Sequence, residues 1–294
     1  MILRVLGSAA GGGVPQWNCA CANCAAAREG RAPKRTQSSL ALSADGEHWL
    51  LINCSPDVAQ QIESYEPLQP KQLRDTPLES ILLTDANVDH LGGLTVLRQA
   101  GSRGFSIHSS GLVRALALKQ TAFARFGEAP HSWTGFAAGD RWISNGIAVR
   151  PFGVCGTTPG YDGRRRVEGA VTAYELRDVD DDRTVLVAPV FAAISRTLHD
   201  AISRASVAFL DGSFFSCDEL RRGGLSHKLA SDLGHLPMGD SGGTLDHLRK
   251  ADSQRIIFTH INNSNPVLDP QSAAAVRVRS AGAEIAFDGL EVSL

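Results

Sequence analysis

Ile81-Leu-Leu-Thr-Asp-Ala-Asn-Val-Asp-His-Leu-Gly-Gly93 is the stretch on which the fold turns. Glu79 to Thr84 is a short apolar run of strand type that stops in a polar cluster. Two glycines follow, and then a helical pattern, Leu94 to Arg98. Asp85, Asn87, Asp89 and His90 therefore arrive together at one strand-to-helix turn. The adjacent Asp89-His90 supplies an oxygen and a nitrogen donor, a pair suited to Zn²⁺, Fe²⁺ or Mn²⁺. Over so few residues an acidic turn with an Asp at a helix N-cap reads the same. Two further strand ends separate the readings.

Ser206 to Leu210 is strand-like and ends in Asp211-Gly212, and Arg255 to Thr259 ends in His260. If these strands run parallel, their donor ends share one edge. Asp89, His90, Asp211 and His260 then converge as a site of two imidazoles and two carboxylates. Between them, Ser231-Asp-Leu-Gly-His-Leu-Pro-Met238 places Asp232 and His235 three apart in a loop. That loop can face the same pocket, with Asp232 and His235 on substrate and His235 moving protons, or it can simply fix its own conformation. Gly7 and Gly11-Gly12-Gly13 follow the first strand, and Gly12 and Gly13 allow the backbone to approach a ligand closely. A tight turn is the plainer use of the same glycines.

Three of the six cysteines lie in Cys19-Ala-Cys21-Ala-Asn-Cys24. Three thiolates this close are better explained by a bound metal than by a disulfide framework. The chain has 294 residues, 43% of them hydrophobic and 20% charged, with a formal net charge of −2. These values describe an ordinary globular protein. Arg164-Arg165-Arg166 is the one tight cationic cluster and reads as a solvated loop, so nucleic acid is not an expected partner. No apolar run approaches ~18 residues, so no membrane span is expected. The N-terminal apolar segment is short and broken by glycine, unlike a signal peptide, and the expected location is cytoplasmic.

The remaining strand-like runs are Met1–Leu6, Thr36–Ser43, His48–Asn53, Gly104–His108, Ile147–Val154, Ala170–Arg177, Thr184–Val190, Glu284–Phe287 and Leu290–Leu294. Ser55 reads as the N-cap of a helix to about Tyr65, Gly111–Phe126 as the longest helix, and Ser272–Ala281 as the last. Strands and helices alternate, hairpins included. The simplest architecture is an α+β, αββα sandwich of two mixed sheets with outer helices, one domain over residues 1–294 with a cysteine knuckle at 17–26.

The turn at Thr84–Gly93 resembles the His-x-His-x-Asp-His motif of the metallo-β-lactamase superfamily, with Asp85 and Asn87 where the first two histidines would stand. Longer stretches are similar to the coenzyme PQQ synthesis protein B family. They are Gly7–Cys19, Arg35-Thr-Gln-Ser-Ser39, Ser55-Pro-Asp57, Asp232-Leu-Gly-His-Leu-Pro237 and His260-Ile-Asn-Asn-Ser-Asn-Pro266. The superfamily resemblance implies two metal positions. One needs the first two histidines and a third, which falls near Cys155 here; that position is lost. The other, through Asp89, His90, Asp211 and His260, is kept.

Membership of the family implies a role in making pyrroloquinoline quinone (PQQ) from a peptide-derived precursor. Two roles are described for it: an Fe²⁺- and O₂-dependent hydroxylase of the tyrosine ring of a cross-linked Glu–Tyr intermediate, and a carrier of PQQ or its precursor toward the periplasm. Loss of one metal position removes the bridged hydroxide on which hydrolases of this fold depend. The retained set resembles a facial-triad iron site, with Asp85, Asn87 and His235 as candidates to orient substrate or move protons. The cysteine knuckle is then a structural zinc site. Related phosphonate-processing enzymes place a histidine three residues after the last active-site histidine, where this chain has Asn263. The Asn263 carbonyl oxygen is the expected fourth zinc ligand, with His235 or water as alternatives. Oligomeric state stays open, a homodimer included.

Overall fold

The computed structural model describes residues 1–100, 104–137, 139–248 and 254–294. It contains two sheets of seven strands each. The strands are β1 (Ile2–Gly7), β2 (Ser39–Ser43), β3 (Trp49–Ile52), β4 (Leu78–Leu82), β5 (Ser106–Ser110), β6 (Ser132–Phe136), β7 (Trp142–Ser144), β8 (Ile147–Val154), β9 (Val171–Asp178), β10 (Thr184–Ala188), β11 (Val207–Asp211), β12 (Arg255–Thr259), β13 (Ala283–Ile285) and β14 (Glu291–Ser293). One sheet runs β14-β1-β2-β3-β4-β5-β6 and the other β13-β12-β11-β10-β9-β8-β7. Each mixes antiparallel hairpins with parallel pairs; β3 to β6 are parallel in the first, β10 to β13 in the second.

Side-chain alternation builds the layers. In β2 and β3, Leu40, Leu42, Leu50 and Ile52 face the second sheet and meet Val185, Val187, Phe209 and Ile257. Ala41 and Leu51, one residue out of phase, face the other way into a helix-covered core with Val58, Leu91, Leu94 and Val113. The second sheet does the same against the helices Arg196–Arg204 and Ala273–Ser280, through Leu186, Ala208 and Phe258 against Leu198, Ile202 and Val278. The result is the αββα sandwich.

Several local expectations shift. Ser55 does not cap the following helix: its hydroxyl accepts from the Asp57 N–H and donates to Gln61, and the helix starts later, at Val58–Glu63. The long helical pattern breaks after Gly111–Leu118, because Gln120 is extended. The break aims Phe123 and Phe126 into the same core as Leu116. Among the described residues the longest helix is instead Arg196–Arg204, capped by Ser195. β6 and β7, with exposed and polar positions, carry no clear strand signal in sequence.

Asn53 ties the fold to the site. It follows β3 in a left-handed conformation, φ 60°, and its buried Oδ1 accepts the Thr84 N–H at 3.0 Å. Non-glycine residues adopt this backbone only when the surroundings compel it. Asn53→Ala should cost about 2–4 kcal/mol in urea unfolding, through the orphaned Thr84 amide and the left-handed strain, and should loosen the Asp85 turn.

Candidate metal centre

The parallel strands β11 and β12 both end at one edge of the second sheet, in Asp211 and just before His260. The turn after β4 brings Asp85, Asp89 and His90 to the same edge from the first sheet. His260 turns into the cleft through a left-handed backbone, φ 57°. Gly11 closes it from the N-terminal loop, where a Cβ would lie 3.1 Å from Asp89 Oδ2.

Five side chains form two overlapping groups, Asp89-His90-His260 and Asp211-His235-His260. In the first, Asp89 Oδ2 lies 3.7 Å from His90 Nε2 and 3.4 Å from His260 Nε2. Both Nε2 atoms are buried without a hydrogen-bond partner. Their other ring nitrogens are held. His90 Nδ1 donates to Asp85 Oδ2 at 2.6 Å, and His260 Nδ1 donates to Ser213 Oγ at 2.8 Å, which in turn donates to Asp211 Oδ1 at 2.7 Å. In the neutral rings this pattern leaves a lone pair on each Nε2. Two imidazole lone pairs and a carboxylate oxygen then face one another, which fits a cation.

Asp85 holds the His90 ring in place. It is fully buried, and its second oxygen accepts from Asn87 N and Nδ2 at 2.8 and 2.7 Å. Asp211 is equally committed: Phe191 N–H and His235 Nδ1 donate to one oxygen, Ser213 to the other. His235 therefore carries its free lone pair on Nε2.

Without a bound metal, the surrounding carboxylates draw a proton onto His90. Burial alone would raise Asp85 and Asp211, yet the His90 and His235 imidazoles hold each below the usual carboxylate range. Burial also works against charge on His90, but Asp85 and Asp89 outweigh it and lift this imidazole to about 9. Burial holds His260 down. A metal captured here would displace the proton from His90.

The cavity above the cluster is about 220 Å³. Its walls include Asn87, Thr157, Arg164, Phe214, Leu233 and His235. Arg164, read from sequence as solvated, is half-buried there on a loop that Tyr161 pins through the Ala86 carbonyl at 2.8 Å. Its neighbours Arg165 and Arg166 are exposed. Ser213 carried no signal in the sequence except its place two residues after Asp211. Gly12, Gly13 and Asp232 do not line the cavity. Gly12 donates its N–H to Gln37, Gly13 bonds back to Ala10, and Asp232 caps its own short helix by accepting the Leu229 N–H. Gly11 and Leu233, their neighbours, take the lining positions. Cys155 belongs to neither group of donors.

The three knuckle sulfurs lie within 4.8 Å of one another. Asn263 meets them: its backbone oxygen is 3.5 Å from Cys21 Sγ and its side-chain amide 3.3 Å from Cys24 Sγ. A flip of that amide would turn its oxygen toward the sulfurs. His235, the alternative fourth ligand, lies in the other cluster.

A model of the β-lactamase superfamily domain matches residues 48–261. With the two-sheet sandwich and its edge cluster, it defines the class: a β-lactamase-superfamily protein. The chain is 39% identical to coenzyme PQQ synthesis protein B of Rhizobium meliloti (strain 1021), over 99% of this chain and 97% of that protein. Identity to the protein of the same name from Methylococcus capsulatus is 37%, covering 100% of both. The solved structure of Zn²⁺-bound PqqB from Methylobacterium extorquens matches with a TM-score of 0.94 at 33% identity, over 100% of both chains. The chain belongs to the coenzyme PQQ synthesis protein B family. A diphosphatase of the PhnP family, at 19% identity and a TM-score of 0.71, shares the fold.

Two predictions follow from this geometry. Cys19→Ala should remove one equivalent of zinc and lower the melting temperature while the metal at the edge cluster stays, as metal analysis of the purified variant will show. Glu219 joins the Phe215 amide to the Ser264 hydroxyl, between the two metal loops, and burial pushes its carboxyl up to about 7. A raised folded value stabilises the protein most at low pH and loses that stability as pH rises from the ordinary Glu range through 7. Glu219→Gln should therefore flatten a stability decline on the order of 3 kcal/mol between pH 5 and 8, read by thermal melts.

Proposed function

We propose that this chain acts in PQQ biosynthesis and hydroxylates the tyrosine ring of a cross-linked Glu–Tyr precursor, using non-haem iron and O₂. The observation that carries this reading is the group of Asp89 Oδ2, His90 Nε2 and His260 Nε2, two imidazoles and one carboxylate within 4.8 Å of one another. Fe²⁺ held by these three atoms would supply the O₂ chemistry. Hydrolysis through a bridged hydroxide is the weaker reading. Asp85, at the place of a superfamily histidine, is fully engaged with His90 and Asn87.

The protein groups around that position have separate tasks. Asp85 and Ser213 hold the two imidazoles in the ligating tautomer. His235, oriented by Asp211, accepts the ring or phenol proton at Nε2. Arg164 receives a substrate carboxylate at the mouth of the cavity. Asn87 faces the same space and orients the ring. Each hydroxylation inserts one oxygen atom of O₂ and reduces the other to water, with two electrons from an external reductant. No helix of the described residues is long and apolar enough to cross a membrane.

The direct test is anaerobic reconstitution with Fe²⁺, then O₂, ascorbate and a Glu–Tyr substrate, with products read by mass. A gain of one or two oxygen atoms, absent in His260→Ala, is expected. Intact iron loading with no mass change and tight PQQ binding would support a carrier instead. Arg164→Ala should raise KM tenfold or more with a smaller change in kcat. His235→Ala should lower kcat by about 10²–10⁴-fold with metal retained.

A further inference from the structure

The outer face of the second sheet is unevenly covered. The helices Arg196–Arg204 and Ala273–Ser280 pack over Leu186, Ala208, Ile256 and Phe258 on β10 to β12. Toward β7 to β9 the face carries a different set of residues. Strand pairing sets Ile143, Ala148, Arg177 and Thr184 in one row across β7, β8, β9 and β10. Arg150 and Glu175 stand opposite each other two residues further along. Ala148 and Thr184 are short, so a hollow opens between longer neighbours. Arg204, at the end of its helix, and Arg141, just before β7, wall it. The cavity measures about 580 Å³, within the range of small-molecule sites.

Positive charge gathers here in a chain whose formal net charge is −2. Four arginines line the cavity, Arg141, Arg150, Arg177 and Arg204, against one glutamate. Glu175 is buried and accepts from Arg150 and from Arg204, the latter at 2.7 Å, which fixes two guanidinium forks in place. Arg177 pairs with Asp182 at 3.2 Å, but that carboxylate is fully exposed and screened. Arg141 makes no ion pair among the described residues. Burial, and then the Arg141 and Arg204 charges, draw Arg150 below the usual guanidinium range, as expected where cations outnumber anions.

We propose that this cavity is a second binding site, for a small polycarboxylate. Glu175 in its wall shows the guanidinium groups already matched to a carboxylate. The Ala148 floor and the exposed Ile143 side chain suit a carbon skeleton rather than a bare inorganic anion. The site is separate from the metal centre. No residue lines both cavities. Thr184 opens β10 at the cavity, and Ala188 closes that strand about 13 Å further along, toward Val190 in the other cavity.

Calorimetric titration of the full-length, metal-loaded protein at low salt tests this, with benzene-1,3,5-tricarboxylate, citrate and inorganic phosphate as probes. Saturable binding of both tricarboxylates is expected. Arg141→Ala, which removes the charge without an ion-pair partner, should weaken it tenfold or more. Ala148→Leu, which fills the hollow and keeps every charge, should do the same, and His260→Ala should leave it unchanged. Phosphate binding as tightly as the tricarboxylates would overturn the assigned ligand class. Absence of saturable binding, or loss in His260→Ala but not in Arg141→Ala and Ala148→Leu, would overturn the site.

Discussion

Three ligand atoms that converge in one buried cleft set the terms for this protein. Asp89 Oδ2, His90 Nε2 and His260 Nε2 face one another in a cleft where both imidazole nitrogens are out of reach of water. Leaving such groups unmatched costs folding free energy, because each loses its hydration and gains no partner. The arrangement persists because Asp85 and Ser213 commit the opposite ring nitrogens, and because a cation can satisfy all three atoms together. The supporting partners are themselves fixed: Asp85 by Asn87, Ser213 by Asp211.

The sandwich serves that cluster. Two sheets from different parts of the chain meet face to face through Leu40, Leu42, Ile52, Val187 and Phe209. Their packing fixes the separation between the turn after β4 and the ends of β11 and β12. A metal held between the sheets at their common edge is therefore also a clamp across the core. At the opposite end of the second sheet the helices stop short and leave the arginine-lined hollow, so the sheet presents different chemistry at its two ends.

Much of this was legible in the sequence. Asp211 and His260 end apolar runs and Asp89-His90 closes the polar cluster after a third, and an apolar run that stops in donor residues reads as a strand delivering ligands to an edge. β2 and β3 were equally legible as strand-like runs. The partition of the donors was not. Asp85 is a carboxylate like Asp89, and only three-dimensional contacts show that its oxygens are occupied by His90 and Asn87. Arg164 could not be told from Arg165 and Arg166, because burial of one residue in a cationic run depends on loop geometry set by Tyr161. Gly12 and Gly13 misled for a related reason. Their left-handed turn is needed to bring Gly11, the adjacent glycine, against Asp89.

X-ray absorption at the iron edge of the Fe²⁺-reconstituted protein tells the two clusters apart, because the knuckle cysteines and the edge cluster give different neighbours. Nitrogen and oxygen neighbours alone are expected, with the outer scattering of two imidazoles, falling to one in His260→Ala. Sulfur among the neighbours, or two imidazoles still present after His260 is removed, would contradict this assignment.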